Sequence, residues 1–206
     1  MNLASIVQIA IGAIFINNIV LSKFLGLCPF FGVSKKLSSA IGMGVAVIFV
    51  MTVASMFTWI INKFILLPCE VMYLRTIVFI LVIASLVQLV EMVLQKFLPV
   101  LYESLGIYLA LITTNCAILG VAIINTQENV FTGQNFTFFE CIINAIMSGI
   151  GFTLALVLMS GIREKLEVVN IPKPLEGVTI AFVVAGLMGM AFLGFSGLDF
   201  FPHSGG

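Results

Sequence analysis

Charge is scarce in this chain. Asp, Glu, Lys and Arg make up 9% of its 206 residues, against about 25% in soluble globular domains. Too little polar surface remains to clothe a water-soluble fold, so most of the exterior must face lipid. The mean hydropathy of +1.24 agrees. Basic residues are in no excess: nine Lys and Arg balance nine Asp and Glu, which excludes an electrostatic case for nucleic acid. The only histidine, His203, lies in a polar tail, and no Ser/His/Asp or metal-hydrolase constellation exists. Four cysteines in a long apolar chain are not the dense framework of a small secreted domain. Residues 1–11 lack Lys and Arg, so a cleavable signal peptide is not expected.

What the chain has in abundance is long apolar runs. A helix needs about 20 apolar residues to cross a hydrocarbon core of ~30 Å. Six runs qualify, at 3–33, 38–62, 76–95, 104–125, 139–160 and 177–198, separated by segments that carry the charges and by Pro172 and Pro174. Lys35, Lys36, Lys96, Arg163, Lys165 and Lys173 gather on the side of connections 1–2, 3–4 and 5–6. The other side holds only Lys63 and Arg75. Basic residues favour the cytoplasm, so both termini are expected to be extracytoplasmic.

One motif occurs twice. Cys28-Pro29-Phe30-Phe31-Gly32-Val33 is echoed 88 residues later by Cys116-Ala117-Ile118-Leu119-Gly120-Val121. Two weaker echoes follow in register. Ala40-Ile41-Gly42-Met43-Gly44 resembles Ala145-Ile146-Met147-Ser148-Gly149, an offset of 105, and Thr76-Ile77-Val78-Phe79 resembles Thr179-Ile180-Ala181-Phe182, an offset of 103. Spans 1–3 thus match spans 4–6, and an odd number of spans per repeat puts the halves upside down relative to one another. The expected fold is an all-α integral membrane protein: one membrane domain over 1–206, with six transmembrane helices as two inverted repeats, about 1–100 and 101–200. Inverted repeats place discontinuous helices and functional sites near the midplane.

Both cysteine blocks carry signs of a broken helix. The first run is 31 residues long, more than one span requires, and Gly26, Pro29 and Gly32 crowd Cys28. In the second, Thr113, Thr114 and Asn115 precede Cys116, three polar side chains that each need a partner in lipid. Helices 1 and 4 are therefore expected to be broken at Cys28 and Cys116, and the two thiols are candidate metal ligands. Asn17, Asn18, Lys23, Thr113, Thr114 and Asn115 are candidates for an ion path or for the surroundings of the sulfurs. Cys69 and Cys141 have no repeat-equivalent partner and read as a loop thiol and a small buried thiol. Glycines 42, 44, 149, 151, 186 and 189 read as close helix packing. Two thiolates do not complete a zinc or iron–sulfur site, which wants four ligands. A second polypeptide must supply the rest, and a homologue of opposite topology is the economical partner. The residues alone do not choose between a [2Fe–2S] cluster and one iron held by four sulfurs. An inverted-repeat secondary transporter is the rival reading.

Several blocks closely resemble one known family. Asn17-Asn18-Ile19-Val20-Leu21, Phe24-Leu25-Gly26-Leu27-Cys28-Pro29-Phe30, Gly32-Val33-Ser34-Lys35-Lys36, Leu111-Ile112-Thr113-Thr114-Asn115-Cys116-Ala117 and Gly161-Ile162-Arg163-Glu164-Lys165 resemble the A-type subunits of Rnf electron-transport complexes. Their cousins are the E-type subunits of the sodium-pumping NADH:quinone reductase. The resemblance implies a six-span component of an ion-translocating ferredoxin:NAD⁺ oxidoreductase in a bacterial or archaeal cytoplasmic membrane. Cys28 and Cys116, with two cysteines of a homologous E-type subunit, would share an intramembrane [2Fe–2S] cluster. The complex's B-, C-, D- and G-type subunits are further implied partners, and the flavins belong to other subunits. Electron transfer is implied to drive Na⁺ or H⁺ export, with no complete active site in this chain alone.

Overall fold

The computed structural model describes residue 7 and residues 9–34, 36–66, 72–97, 111–112, 114–126, 136–169 and 177–196. Among these there are helices and connecting segments and no strand. The helices are α1 (Leu27–Val33), α2 (Leu37–Ile61), α3 (Arg75–Phe97), α4 (Cys116–Ile124), α5 (Phe138–Leu166) and α6 (Val178–Ser196). A π-helical turn, Gly12–Ile16, closes the helical segment before α1, and another, Asn62–Leu66, prolongs α2. Among the described residues three helical stretches are long and apolar enough to cross a membrane: Leu37–Leu66, Phe138–Leu166 and Val178–Phe195.

α2 and α5 form the central pair and run antiparallel. At one end, Trp59 of α2 donates to the Phe136 carbonyl just before α5 at 3.0 Å, and its ring packs on Phe138 at 5.2 Å. At the other, the Leu37 amide that opens α2 donates to Glu164 near the end of α5 at 3.0 Å. Lipid supplies no hydrophobic force between helices, so van der Waals contact must hold them together. Small residues provide it. A Cβ on Gly149 would lie 3.0 Å from the Ile48 backbone and 2.8 Å from its Cγ1. Gly44 presses in the same way on Thr153. These contacts are reciprocal: Gly149 follows Gly44, and Thr153 follows Ile48, by the same 105 residues as the sequence echo.

The short helices take their directions from this pair. α1 and α4 begin beside one another and diverge toward opposite ends of it. α1 ends where Arg163 of α5 donates to the Phe31 carbonyl at 2.8 Å and to Ser34 Oγ at 2.9 Å. α4 ends at Asn125, which donates to Ser55 Oγ at 3.2 Å and to the Cys141 carbonyl at 3.4 Å, near the start of α5. Asn144 donates to Asn125 Oδ1 at 2.6 Å. α6 packs outside the first break, with Phe31 on Phe182 at 4.3 Å and Phe15 on Phe195 at 5.9 Å.

Three expectations need correction. Arg163, Glu164 and Lys165 were expected in the connection after span 5, yet α5 runs on to Leu166. They are good helix formers, and Arg163 and Glu164 find partners on the α1–α2 junction. Gly42 and Gly186, expected at helix contacts, have nothing within 4 Å of an added Cβ among the described residues. The first break is also wider than a kink at Cys28: residues 17–26 are non-helical and Cys28 lies just beyond them.

Candidate functional site

The first break is built by Asn18. Its buried side chain uses its full hydrogen-bonding capacity: Nδ2 donates to the carbonyls of Ile14 at 3.0 Å and Gly151 at 2.9 Å, and Oδ1 accepts from the amides of Val20 at 3.1 Å and Leu21 at 3.2 Å. An asparagine that bonds its own backbone offers the chain an alternative to the helical ladder. In doing so it satisfies amides that lipid would leave unpaired. Asn17 closes the π-turn with its amide on the Gly12 carbonyl at 2.6 Å. The segment then passes exposed Lys23 and reaches Phe24, the one non-glycine at positive φ among the described residues (54°).

Gly26 restarts the helix. Its φ of 78° is left-handed, a conformation that glycine adopts without a Cβ penalty. Space demands glycine as well, because a Cβ would sit 2.9 Å from Asn115 Oδ1, 2.9 Å from Phe152 Cε2 and 3.1 Å from Ala117 Cβ. Cys28 follows in the first turn of α1, where Pro29 is tolerated because first-turn amides have no intrahelical partner.

The second break mirrors the first in chemistry. Asn115 caps α4, its Oδ1 accepting from the Ala117 amide at 3.0 Å, and Cys116 opens the helix. Its Sγ lies 3.9 Å from the exposed Thr114 carbonyl oxygen. Thr113 lies outside the described residues, as do Cys69 and His203. The two restarts touch twice: Gly26 meets Asn115 and Ala117, and Gly120 meets Leu25, whose Cδ1 would be 2.6 Å from an added Cβ. Phe152, which Gly26 also meets, is fourteen residues from either end of α5 (Phe138–Leu166). The meeting point therefore lies halfway along a helix of about 43 Å, at 1.5 Å per residue.

Both motif cysteines are free and exposed, whereas Cys141 is buried and donates to the Ser55 carbonyl at 3.6 Å, as a structural thiol does. No group of three or more His, Cys, Asp or Glu converges among the described residues. Within that set the two thiols have no further metal ligand, yet their exposure leaves them open to one from outside. The donor set suits iron: soft thiolates are the usual ligands of iron–sulfur centres. One polar atom beside them is unsatisfied. Asn115 is 4% exposed, and its Nδ2 has no hydrogen-bond partner among the described residues. Sequence reasoning singled out Asn115 but missed the polar group at the far end of α4, where Asn125, Asn144, Ser55 and Cys141 interlock. Its only sequence signal was asparagine inside an apolar run.

Comparison with known proteins shows the family. Residues 6–199 match the family described as Rnf-Nqr subunit, membrane protein. The chain belongs to the Rnf-Nqr family. It is 56% identical over 194 residues to an Acetobacterium woodii protein named as the A subunit of a Na⁺-translocating ferredoxin:NAD⁺ oxidoreductase complex, covering 94% of this chain and 98% of that one. A Clostridium ljungdahlii protein, named as the A subunit of a proton-translocating ferredoxin:NAD⁺ oxidoreductase complex, is 48% identical over 196 residues, covering 95% and 98%. A third relative, from Cronobacter sakazakii, is named as the A subunit of an ion-translocating oxidoreductase complex and is 55% identical over 188 residues, 91% of this chain and 94% of that one. As a Rnf-Nqr family protein with several apolar helices, the chain is a multi-pass membrane protein. The relatives named for sodium and for protons differ little in their likeness to it, so likeness does not choose the ion.

Proposed function

We propose that this chain is a membrane component of an ion-translocating ferredoxin:NAD⁺ oxidoreductase complex. In this reading Cys28 and Cys116 hold half of a [2Fe–2S] cluster inside the bilayer, and two cysteines of a homologous protein of opposite topology hold the other half. The observation that carries it is the pair of exposed thiols at two touching helix restarts, halfway along α5. The reciprocal Gly44–Thr153 and Gly149–Ile48 contacts support the inverted repeats, since a two-fold relation pairs each residue with its partner's counterpart.

Bound there, the cluster would supply a one-electron relay, dividing a hydrocarbon core of ~30 Å into two shorter hops. The chain's own residues prepare the place. Asn18 and Gly26 end one helix and start another, and Asn18 pairs the Val20 and Leu21 amides on the way. Arg163 holds the far end of α1 by its carbonyl, where a cation is favoured. The buried ring of Phe152 backs the meeting point and keeps water from that side. Exposed Thr114 and Lys23 remain candidates for meeting a cation or balancing charge beside the sulfurs, Na⁺ and H⁺ being alternatives for the coupled ion. The membrane in this reading is the cytoplasmic one, with both termini outside.

The test is iron and acid-labile sulfide content, with EPR of the reduced state, on the chain co-purified with its homologous partner. Two iron and two sulfide per heterodimer are expected, with the signal lost in Cys28→Ser and in Cys116→Ser. No iron in the intact pair would sink the reading and leave an inverted-repeat transporter in its place.

A further inference from the structure

The unsatisfied amide of Asn115 is a feature of the site that folding leaves unexplained. Its oxygen is committed: Oδ1 accepts from the Ala117 amide at 3.0 Å, as a helix N-cap does. That bond fixes which end of the amide is oxygen, so the opposite end must be the NH₂ group. Serine or aspartate would cap α4 equally well, so capping gives no reason for an NH₂. Yet Nδ2 is buried without a partner among the described residues, in a residue only 4% exposed, and an unmade bond to a buried donor is costly. Asn18 offers the contrast, because at the other break an asparagine uses both of its Nδ2 hydrogens.

The position of the group says what it serves. Asn115 immediately precedes Cys116, and its Oδ1 would be 2.9 Å from a Cβ on Gly26, two residues before Cys28. The amide is thus wedged between the two cysteine-bearing restarts. A donor with no acceptor among the described residues, set between the two cysteine-bearing restarts, fits an acceptor that arrives with the ligand those thiols hold.

We infer that Asn115 Nδ2 donates a hydrogen bond to a sulfur of the metal centre held by Cys28 and Cys116, and so raises its reduction potential. This rests on the cluster reading above. A donor to sulfur stabilises the more negative, reduced form more than the oxidised one, and such bonds are among the determinants of iron–sulfur potentials. The effect is larger in a medium of low dielectric.

The experiment is a redox titration followed by EPR on the co-purified pair, wild type against Asn115→Ser and Asn115→Asp. Both variants keep an oxygen to cap α4. With iron and sulfide content unchanged, the midpoint potential is expected to fall in both. A midpoint equal to wild type in both variants would overturn the inference. Should either variant lose its cluster, the wild type decides by itself. With asparagine labelled with ¹⁵N in the side chain, pulsed EPR should show a ¹⁵N coupling and an exchangeable proton at the reduced centre. Neither being present means that Asn115 does not touch it. An intact pair without iron would instead refute the cluster reading, so the two failures are distinguishable.

Discussion

Asn18 does at one residue what a loop usually does with many. Four hydrogen bonds meet on its side chain, tying the π-turn, the restart segment and α5 through the Gly151 carbonyl. Asn18→Ala should therefore lower the stability of the detergent-solubilised protein by about 2–4 kcal/mol, four bonds at roughly 0.5–1 kcal/mol each. A fall in the thermal unfolding midpoint would report it, and an unchanged midpoint would mean that the break is held elsewhere. At this scale the sequence was informative about candidates and less so about roles. Cys28 and Cys116 were legible from the repeated motif, and Asn17, Asn18 and Asn115 from polarity in an apolar run. Which asparagine has a spare donor was not legible, because satisfaction depends on which carbonyls the fold brings near. Asn18 reaches Gly151, 133 positions away, whereas Asn115 reaches only its own first turn.

The close approach of α2 and α5 depends on glycines that the sequence could count but not sort. Gly149→Val should cost about 1–3 kcal/mol by pushing on the Ile48 backbone. Gly42→Val, with open space beside it, should stay within about 0.5 kcal/mol. Thermal unfolding of the two variants side by side checks the contrast, and equal losses would refute the contact. A glycine on the lipid or partner side has the same letter as one at a helix crossing, and only helix rotation separates them. The end of α5 carries the same lesson. Charges at Arg163–Lys165 suggested a water-facing connection, but Arg163 and Glu164 are partnered by α1 and α2, so the helix continues. The helices α2, α3, α5 and α6 were otherwise legible to within a few residues, since each follows a sustained apolar run.

At the centre of the described residues two short helices start from a common point and leave in opposite directions along an antiparallel pair. That arrangement gives the ends of α2 and α5 opposite sides of the membrane, which is testable without any cofactor. With native-cysteine labelling subtracted, Thr137→Cys, exposed at the start of α5, should react with an impermeant maleimide in right-side-out vesicles. Ser38→Cys, exposed at the start of α2, should react only after lysis. The reverse pattern would invert the orientation, and both reacting from one side would refute the antiparallel crossing.

By itself the sequence determined the solvent, the helical class and the two thiols. Each of these is set by composition or local spacing: too few charges for water, apolar runs of spanning length, and a cysteine motif repeated beside helix breakers. The tertiary structure decided how wide the first break is, which glycines make contact, that the two restarts meet halfway along α5, and that Asn115, unlike Asn18, keeps a donor unpaired among the described residues. The physical reason is range. Burial, hydrogen-bond satisfaction and proximity depend on partners up to 133 positions away, and those partners are neighbours only once the helices have crossed.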